Sequence, residues 1–451
     1  MRLDRIFASL LLLASSGYGE PAQSGHGVGF VRTALFSGYD GKWCKVQPSV
    51  AFDGEKTALL TYQMLNLGGS DVFSGQYLSK STDGGETWST PVKIPESADV
   101  YERGLRVARY VNVYYLAGGR RWTAMGSATM YGADDRPYQR YVDGKPYCYP
   151  VQADVDVKSG RIANYRRMPI PFEYELAMRF GQVVECENGE VLMPFYYRPV
   201  GAGKKGRAVV VRYRAGTNGW EVVRAGTPVV EDSLARGVGE PSIVKFKGRY
   251  YMTLRSNEYG MYAESEDGLD YSKPVKWVWA GGKPIGNANT QQHWVPVGDR
   301  LYLAYTRVTP TNGHVFRNRA PIFIAEFDPV RRCLLRETEQ TVVPERGARL
   351  GNFTVAPGRV GESWLVTAEW MQPKGCERRG SDNSLWLVKI CGEPALPGQG
   401  KPSAARRFCG ACASARGAPV SSNGQDARWP GGQTGATVGP RGIRSGMIRR
   451  G

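Results

Sequence analysis

The pattern that most constrains the fold is an apolar run, a tight turn containing Gly, and a second apolar run that ends in a polar residue. Copies span Gln47 to Gln63, Arg103 to Arg120, Gln182 to Tyr197, Glu240 to Arg255, Gln291 to Arg307 and Asn352 to Glu369. They recur at irregular intervals of about 50 residues, the scale of a repeated supersecondary unit. Their Val, Ile, Tyr and Leu content and their Gly turns predict a β-hairpin in each copy. Enough chain follows each hairpin for two more strands, as in the runs that begin at Ala208 and Trp220. No segment keeps a 3.6-residue apolar period for three turns, which disfavours a helical domain. Six four-stranded antiparallel sheets set radially make an all-β, six-bladed propeller, with five blades as the rival count. Closure requires the chain ends to meet, so the opening strand from Val28 and the last one, Ser384 to Ile390, are expected to share a sheet.

A second signal lies at Ser81-Thr82-Asp83-Gly84-Gly85-Glu86-Thr87-Trp88. Asp83 can accept hydrogen bonds from the amides of its own turn, the two glycines supply left-handed backbone, and Trp88 drives the closed turn into an apolar layer. A shorter copy follows at Ser265-Glu266-Asp267-Gly268-Leu269-Asp270-Tyr271. These residues fold hairpins and are not expected to touch a substrate.

Composition narrows the function. The chain has 451 residues with 57 Gly and 25 Tyr but only three His, which suits turn-rich β structure. Its formal charge of +17 raises nucleic acid as a partner, yet the stretch from Cys391 onward holds nine Lys/Arg against Glu393 and Asp426 and so accounts for +7 of it. A basic body without a recognition helix suits an acidic small ligand or a solvated surface better than DNA. Residues 1–22 read as an export signal, with Arg2 and Arg5 before the apolar run Ile6 to Ala14, a run too short to span a bilayer. Residues 27–391 are assigned to the propeller, and 392–451 to a disordered basic tail rich in Gly, Pro and Arg. The eight cysteines lack metal-ligand spacing, and export would permit one or two disulfides. No metal cluster, P-loop or Ser-His-Asp arrangement stands out, and no cofactor is expected. The expected species is a secreted or periplasmic monomer without a membrane span or nucleic-acid partner.

Propeller geometry then predicts where chemistry sits. If the first strand of each blade runs down and the second up, the start of one and the end of the other meet at one axial mouth. That gathers Arg120, Arg255 and Arg307, with Arg103 and Arg106 nearby, and guanidinium forks of this kind bind carboxylate or sulfate. Glu240 and Glu369 are the acids of the ring, candidates for proton transfer or for orienting an Arg or Tyr. Tyr197 and His293 complete the rim; a His beside Trp294 can act as a base or pack in an aromatic wall.

These residues resemble the sialidase superfamily, six-bladed propellers carrying Asp-boxes of the pattern S-x-D-x-G-x-T-W. The closest local match runs from Glu240-Pro241-Ser242-Ile243 through Arg255 to Ser265-Glu266-Asp267-Gly268. The resemblance implies that Glu240 assists a tyrosine nucleophile, that Arg255 binds the substrate carboxylate, and that Arg307 is a second member of the arginine triad. The chain departs from the pattern elsewhere. Lys45-Val46-Gln47-Pro48 stands where the superfamily opens its first blade with Arg-Ile-Pro. Gln63 falls near the acid/base Asp, with Asp71 as the nearest alternative. Glu369 and Trp370 stand where the nucleophilic Tyr is expected, with Tyr305 or Tyr197 as substitutes. The resemblance therefore implies an exported glycoside hydrolase acting on a terminal acidic sugar. The alternatives are a non-catalytic glycan-binding propeller and a glycosidase of other specificity that uses a carboxylate pair.

Overall fold

A computed structural model describes residues 27–69, 71–97, 100–138, 144–287 and 289–392. The expectations for the export signal and for 393–451 fall outside these. The described residues are nearly all β, without an α-helix. In chain order the strands are β1 (Val28–Leu35), β2 (Trp43–Phe52), β3 (Ala58–Asn66), β4 (Val72–Ser81), β5 (Val92–Lys93), β6 (Val100–Glu102), β7 (Leu105–Leu116), β8 (Arg121–Tyr131), β9 (Cys148–Asp156) and β10 (Arg161–Arg167). They continue with β11 (Leu176–Arg179), β12 (Val184–Glu185), β13 (Val191–Arg198), β14 (Arg207–Gly216), β15 (Gly219–Ala225), β16 (Gly239–Phe246), β17 (Arg249–Arg255), β18 (Gly260–Ser265) and β19 (Val275–Lys276). The last are β20 (His293–Val297), β21 (Arg300–Tyr305), β22 (Ile322–Asp328), β23 (Cys333–Leu334), β24 (Gln340–Val343), β25 (Phe353–Pro357), β26 (Glu362–Ala368) and β27 (Leu385–Gly392).

Three sheets have four strands, in the orders β2-β3-β4-β5, β16-β17-β18-β19 and β1-β27-β26-β25. The fourth follows β20-β21-β22-β23 with β24 also on β22, and the fifth is a ten-stranded run from β6 to β15. This last is two meanders joined at one parallel bridge, Leu176 to Cys148. As expected, the first and last described strands share a sheet: β1 pairs antiparallel with β27 from Val28 opposite Gly392 to Leu35 opposite Leu385.

Buried apolar side chains explain how the sheets are ordered, since each sheet must cover both faces. Val50, Leu60, Trp364 and Leu387 join the first sheet to the last, and Leu59, Leu78, Val111 and Ala124 join the first to the β7 meander. Met125 and Phe195 link the two meanders, Val210 and Met252 link β14 to β17, and Tyr262 and Trp294 link β18 to β20. Ile322 and Val388 return to the last sheet. Trp364 is fully buried and stacks on Phe52 with ring centroids 4.5 Å apart.

The turn at Ser81 to Thr87 closes through its own side chains. Ser81 Oγ donates to Asp83 Oδ1 at 2.8 Å and accepts from Gly85 N at 2.8 Å, while Thr87 N donates to Asp83 Oδ1 at 3.0 Å. These bonds, the Thr87 hydroxyl first, hold the Asp83 carboxyl well below the usual range. Gly85 has φ 79°, and a Cβ there would stand 2.6 Å from Trp364. The second turn repeats the scheme, with Ser265 Oγ 3.0 Å from Asp267 Oδ1 and Gly268 N 2.9 Å from Ser265 Oγ. The six cysteines among the described residues are free.

Candidate functional site

The site is built on a bulge that occurs twice. On β2 the register breaks between Val46, opposite Gln63, and Ser49, opposite Thr61, so Gln47 and Pro48 face one residue of β3. On β16 it breaks between Gly239, opposite Arg255, and Ser242, opposite Thr253, so Glu240 and Pro241 do the same. Gln47 and Glu240 both have φ 48°, a left-handed backbone that a two-against-one bulge imposes. The bulge turns Glu240 toward Arg255, and the two form an ion pair with both side chains about one-fifth exposed. A cavity of about 70 Å³ beside them is lined by Tyr196, Gly239, Ser256 and Asn257.

Arg255 reaches further. Its Nη2 donates to Asn289 Oδ1, and the main-chain oxygen of Asn289 accepts from Arg319 Nη2. Arg319 is 5 % exposed, and burial followed by repulsion from Arg255 pushes its pKa down to about 10. Arg349, equally buried, lies 3.4 Å over the Trp370 ring and 5.2 Å from that of Phe316. Burial and then the Arg319 charge push it down to about 9. Among the described residues neither Arg319 nor Arg349 has a salt-bridged carboxylate within 4.0 Å. Both feel the negative charge of Asp71, which favours their charged forms.

Asp71 sits on the loop between β3 and β4, and the neighbouring sheet fixes that loop. Tyr131 Oη donates to Asp71 O at 2.8 Å and accepts from Phe73 N at 3.2 Å. Arg106 Nη1 donates to Phe73 O at 2.9 Å, and its guanidinium lies 4.1 Å over the Tyr131 ring. Phe73 meets Trp370 edge to face at 6.1 Å, under the Arg349 stack. Asp71 also lines an open basin of about 1020 Å³ with Asn66, Asp134 and Tyr138.

The structure gathers Glu240 and Arg255 and disperses the other predicted residues. Arg120 is in the β7–β8 turn, exposed, 3.3 Å from Glu55 of the β2–β3 turn. It belongs to the turn end because Leu105–Leu116 is one 12-residue strand, so the copy read as a whole hairpin stops at its tip. Arg103 is in the β6–β7 turn with Nη2 3.2 Å from Pro146 O. Arg307 is locked on Glu339 at 2.8 and 2.6 Å, and Tyr305 Oη joins the same carboxylate at 2.6 Å. Tyr197 is 4 % exposed and packs on Phe172 at 4.4 Å, while the adjacent Tyr196 takes the cavity side, as strand alternation requires.

His293 is 2 % exposed with Nδ1 3.1 Å from Ser242 Oγ, and burial drives its pKa down to about 3, so it stands neutral. Glu369 is 2 % exposed, takes Arg346 Nε at 3.0 Å and accepts from Asp382 N at 2.9 Å, and burial raises its pKa. Gln63 stands opposite Val46 as Arg255 stands opposite Gly239, and its Nε2 donates to Ser74 O at 3.1 Å.

Sequence reasoning missed Arg319, Arg349 and Asn289, which lie in loops. Arg349 precedes the sixth hairpin copy by three residues and Asn289 the fifth by two, so extending each copy upstream would have found both. Arg319 has no such signal. Groups of three or more metal-ligating side chains do not occur among the described residues, nor does a helix long and apolar enough to cross a membrane.

No family model matches the chain, and no curated protein matches it. Solved structures do. A protein of unknown function from Dyadobacter fermentans DSM 18053 superposes with a TM-score of 0.56 at 16% identity, covering 81% of this chain and 99% of that one. Trypanosoma rangeli sialidase gives 0.54 at 12% identity over 80% of this chain and 59% of its own length. The same sialidase in complex with sialic acid gives 0.52 at 11% identity, over 80% and 58%. At these identities the likeness is one of fold, and the described chain has a sialidase-like all-β fold.

Proposed function

We propose that the protein is an exported, sialidase-like glycoside hydrolase that acts on a terminal acidic sugar, built as a monomeric six-bladed propeller. The circuit of apolar contacts from sheet to sheet supports that architecture. The Ser81 and Ser265 turns support Asp-boxes, and the apolar run Ile6 to Ala14 supports export. One observation carries the functional reading: Arg255, Arg319 and Arg349 converge where Arg319 and Arg349 are buried without a salt-bridged carboxylate. Buried guanidiniums at this density, without a carboxylate in ion-pair contact, are costly unless an anion completes them. A planar carboxylate satisfies several forks at once.

In this reading Arg255, Arg319 and Arg349 hold the sugar carboxylate, and Glu240 orients Arg255. Asp71, beside both buried guanidiniums and open to the basin, donates its proton to the leaving oxygen as the glycosidic bond breaks and recovers one from the water that adds. Gln63 cannot do this, because an amide has no such proton. The test is hydrolysis of a panel of chromogenic glycosides, a sialoside and uronides included, with Arg255→Ala and Asp71→Asn alongside. Turnover of an acidic glycoside that falls at least 100-fold in both variants is expected. Hydrogen bonds from a tyrosine to Glu240 are absent among the described residues, which favours a second reading, a glycan-binding propeller that leaves its ligand intact. No turnover, with sialic acid binding lost in Arg255→Ala, would select it.

A further inference from the structure

We infer that Asn289 is the positioning residue that sets the separation of the Arg255 and Arg319 guanidiniums, an inference that rests on the anion-site reading above. One residue links two sheets through three polar groups. Its N–H donates to Ser256 O at 2.8 Å, just past the end of β17. Its side-chain oxygen accepts from Arg255 Nη2, and its main-chain oxygen from Arg319 Nη2.

Asn suits these demands together. The backbone at 289 has φ 50°, which Gly and Asn adopt readily and β-branched residues do not. Gly would keep the backbone acceptor for Arg319 but lose the one for Arg255. Asp would keep both acceptors and add a negative charge that competes with an anionic ligand.

The staple matters because the charges it joins repel. Arg319 is confined from its other flank, since a Cβ on Gly351 would stand 2.8 Å from Arg319 Cδ. Arg255 keeps its ion pair with Glu240 and is free to pivot about that contact, away from Arg319, once the Asn289 oxygen is gone. The gap between the two forks would then widen beyond the reach of one carboxylate. Such a change weakens substrate binding while leaving Asp71 in place, so it raises KM with little change in kcat.

The experiment compares the full chain with Asn289→Gly and Asn289→Asp. It records thermal melting, sialic acid affinity by calorimetry, and the Arg255 guanidinium ¹⁵N–¹H resonances without ligand. Asn289→Gly is expected to melt with the wild type, to bind sialic acid roughly tenfold or more weakly, and to lose the slowly exchanging Arg255 signals. Asn289→Asp is expected to keep those signals and still bind poorly. Undiminished affinity and Arg255 signals in Asn289→Gly would overturn the inference. If the wild type fails to bind sialic acid, the anion-site reading falls, and the Arg255 signals still decide whether Asn289 holds that guanidinium.

Discussion

Gln47 and Glu240 occupy the same bulge in two different sheets, each with φ 48°, each followed by Pro and Ser, and each beside a matching ladder position held by Gln63 or Arg255. The two sheets share a scaffold, yet one carries two amides where the other carries an ion pair. The left-handed backbone belongs to the scaffold. Gln47→Gly should therefore cost no more than a few tenths of a kcal/mol, whereas Gln47→Val should cost about 1–3 kcal/mol from backbone strain. Chemical denaturation of the two variants checks this, and equal loss in both would assign the cost to the side chain.

Arg349 sets binding against stability. Its guanidinium is buried on Trp370 without a salt-bridged carboxylate among the described residues. Replacing a poorly compensated buried charge by an apolar side chain of similar length is often stabilising, by about 1–4 kcal/mol. Arg349→Met should melt above the wild type and lose sialic acid binding. Melting curves with and without the sugar test both halves, and a drop in melting temperature would contradict the reading.

The contact between Gly85 and Trp364 ties the Ser81 turn to the sheet that holds the first and last described strands. Trp364→Ala should destabilise the fold by about 3–5 kcal/mol, the range for a large buried aromatic. Gly85→Ala should also destabilise, because it adds a Cβ at φ 79° 2.6 Å from the indole. Calorimetric melting compares them; in the double variant the two effects should fall short of additivity, since the Ala side chain at 364 leaves room for the new methyl.

His293 predicts the acid limb of stability. Burial puts its folded pKa near 3, below the ordinary 6.5. Above about pH 6.5 the ring is neutral folded or unfolded, and its contribution is complete. As pH falls toward 3, the unfolded chain takes up a proton that the folded ring refuses, so stability drops by about 1.4 kcal/mol per pH unit from this group. His293→Gln should flatten that limb in urea titrations between pH 6.5 and 4, and an unchanged slope would locate the proton uptake elsewhere.

The sequence disclosed most of the hairpins, because they are local and alternating apolar runs and Gly turns specify their own pairing, but not the grouping of strands into sheets, where two meanders join in one ten-stranded run instead of two four-stranded sheets. It disclosed the Glu240–Arg255 pair for the same reason, the two residues being opposite ends of one hairpin. Arg120 went to the wrong end because a 12-residue strand looks like a hairpin when a Gly pair follows it. Tyr197 was separated from Tyr196 by one residue of alternation, which composition cannot fix. Arg319, Arg349 and Asn289 come from loops between sheets, where position depends on tertiary packing rather than periodicity. Glu369 and His293 were legible as polar residues at strand ends, but not as groups walled in by their neighbours.

The pairing of β1 with β27 has a consequence for synthesis. The first described strand made, Val28–Leu35, has its sheet partner only in the last, Leu385–Gly392. A nascent chain can assemble the intervening sheets in turn as it emerges. It must carry β1 as an unpaired edge until Leu385–Gly392 has emerged. The same junction sets Val28 opposite Gly392, so the described strands begin and finish in one sheet. A variant in which a short linker joins Gly392 to Val28 and the backbone is reopened at the exposed turn Gly281–Gly282 should have a different order of synthesis and the same finished sheets.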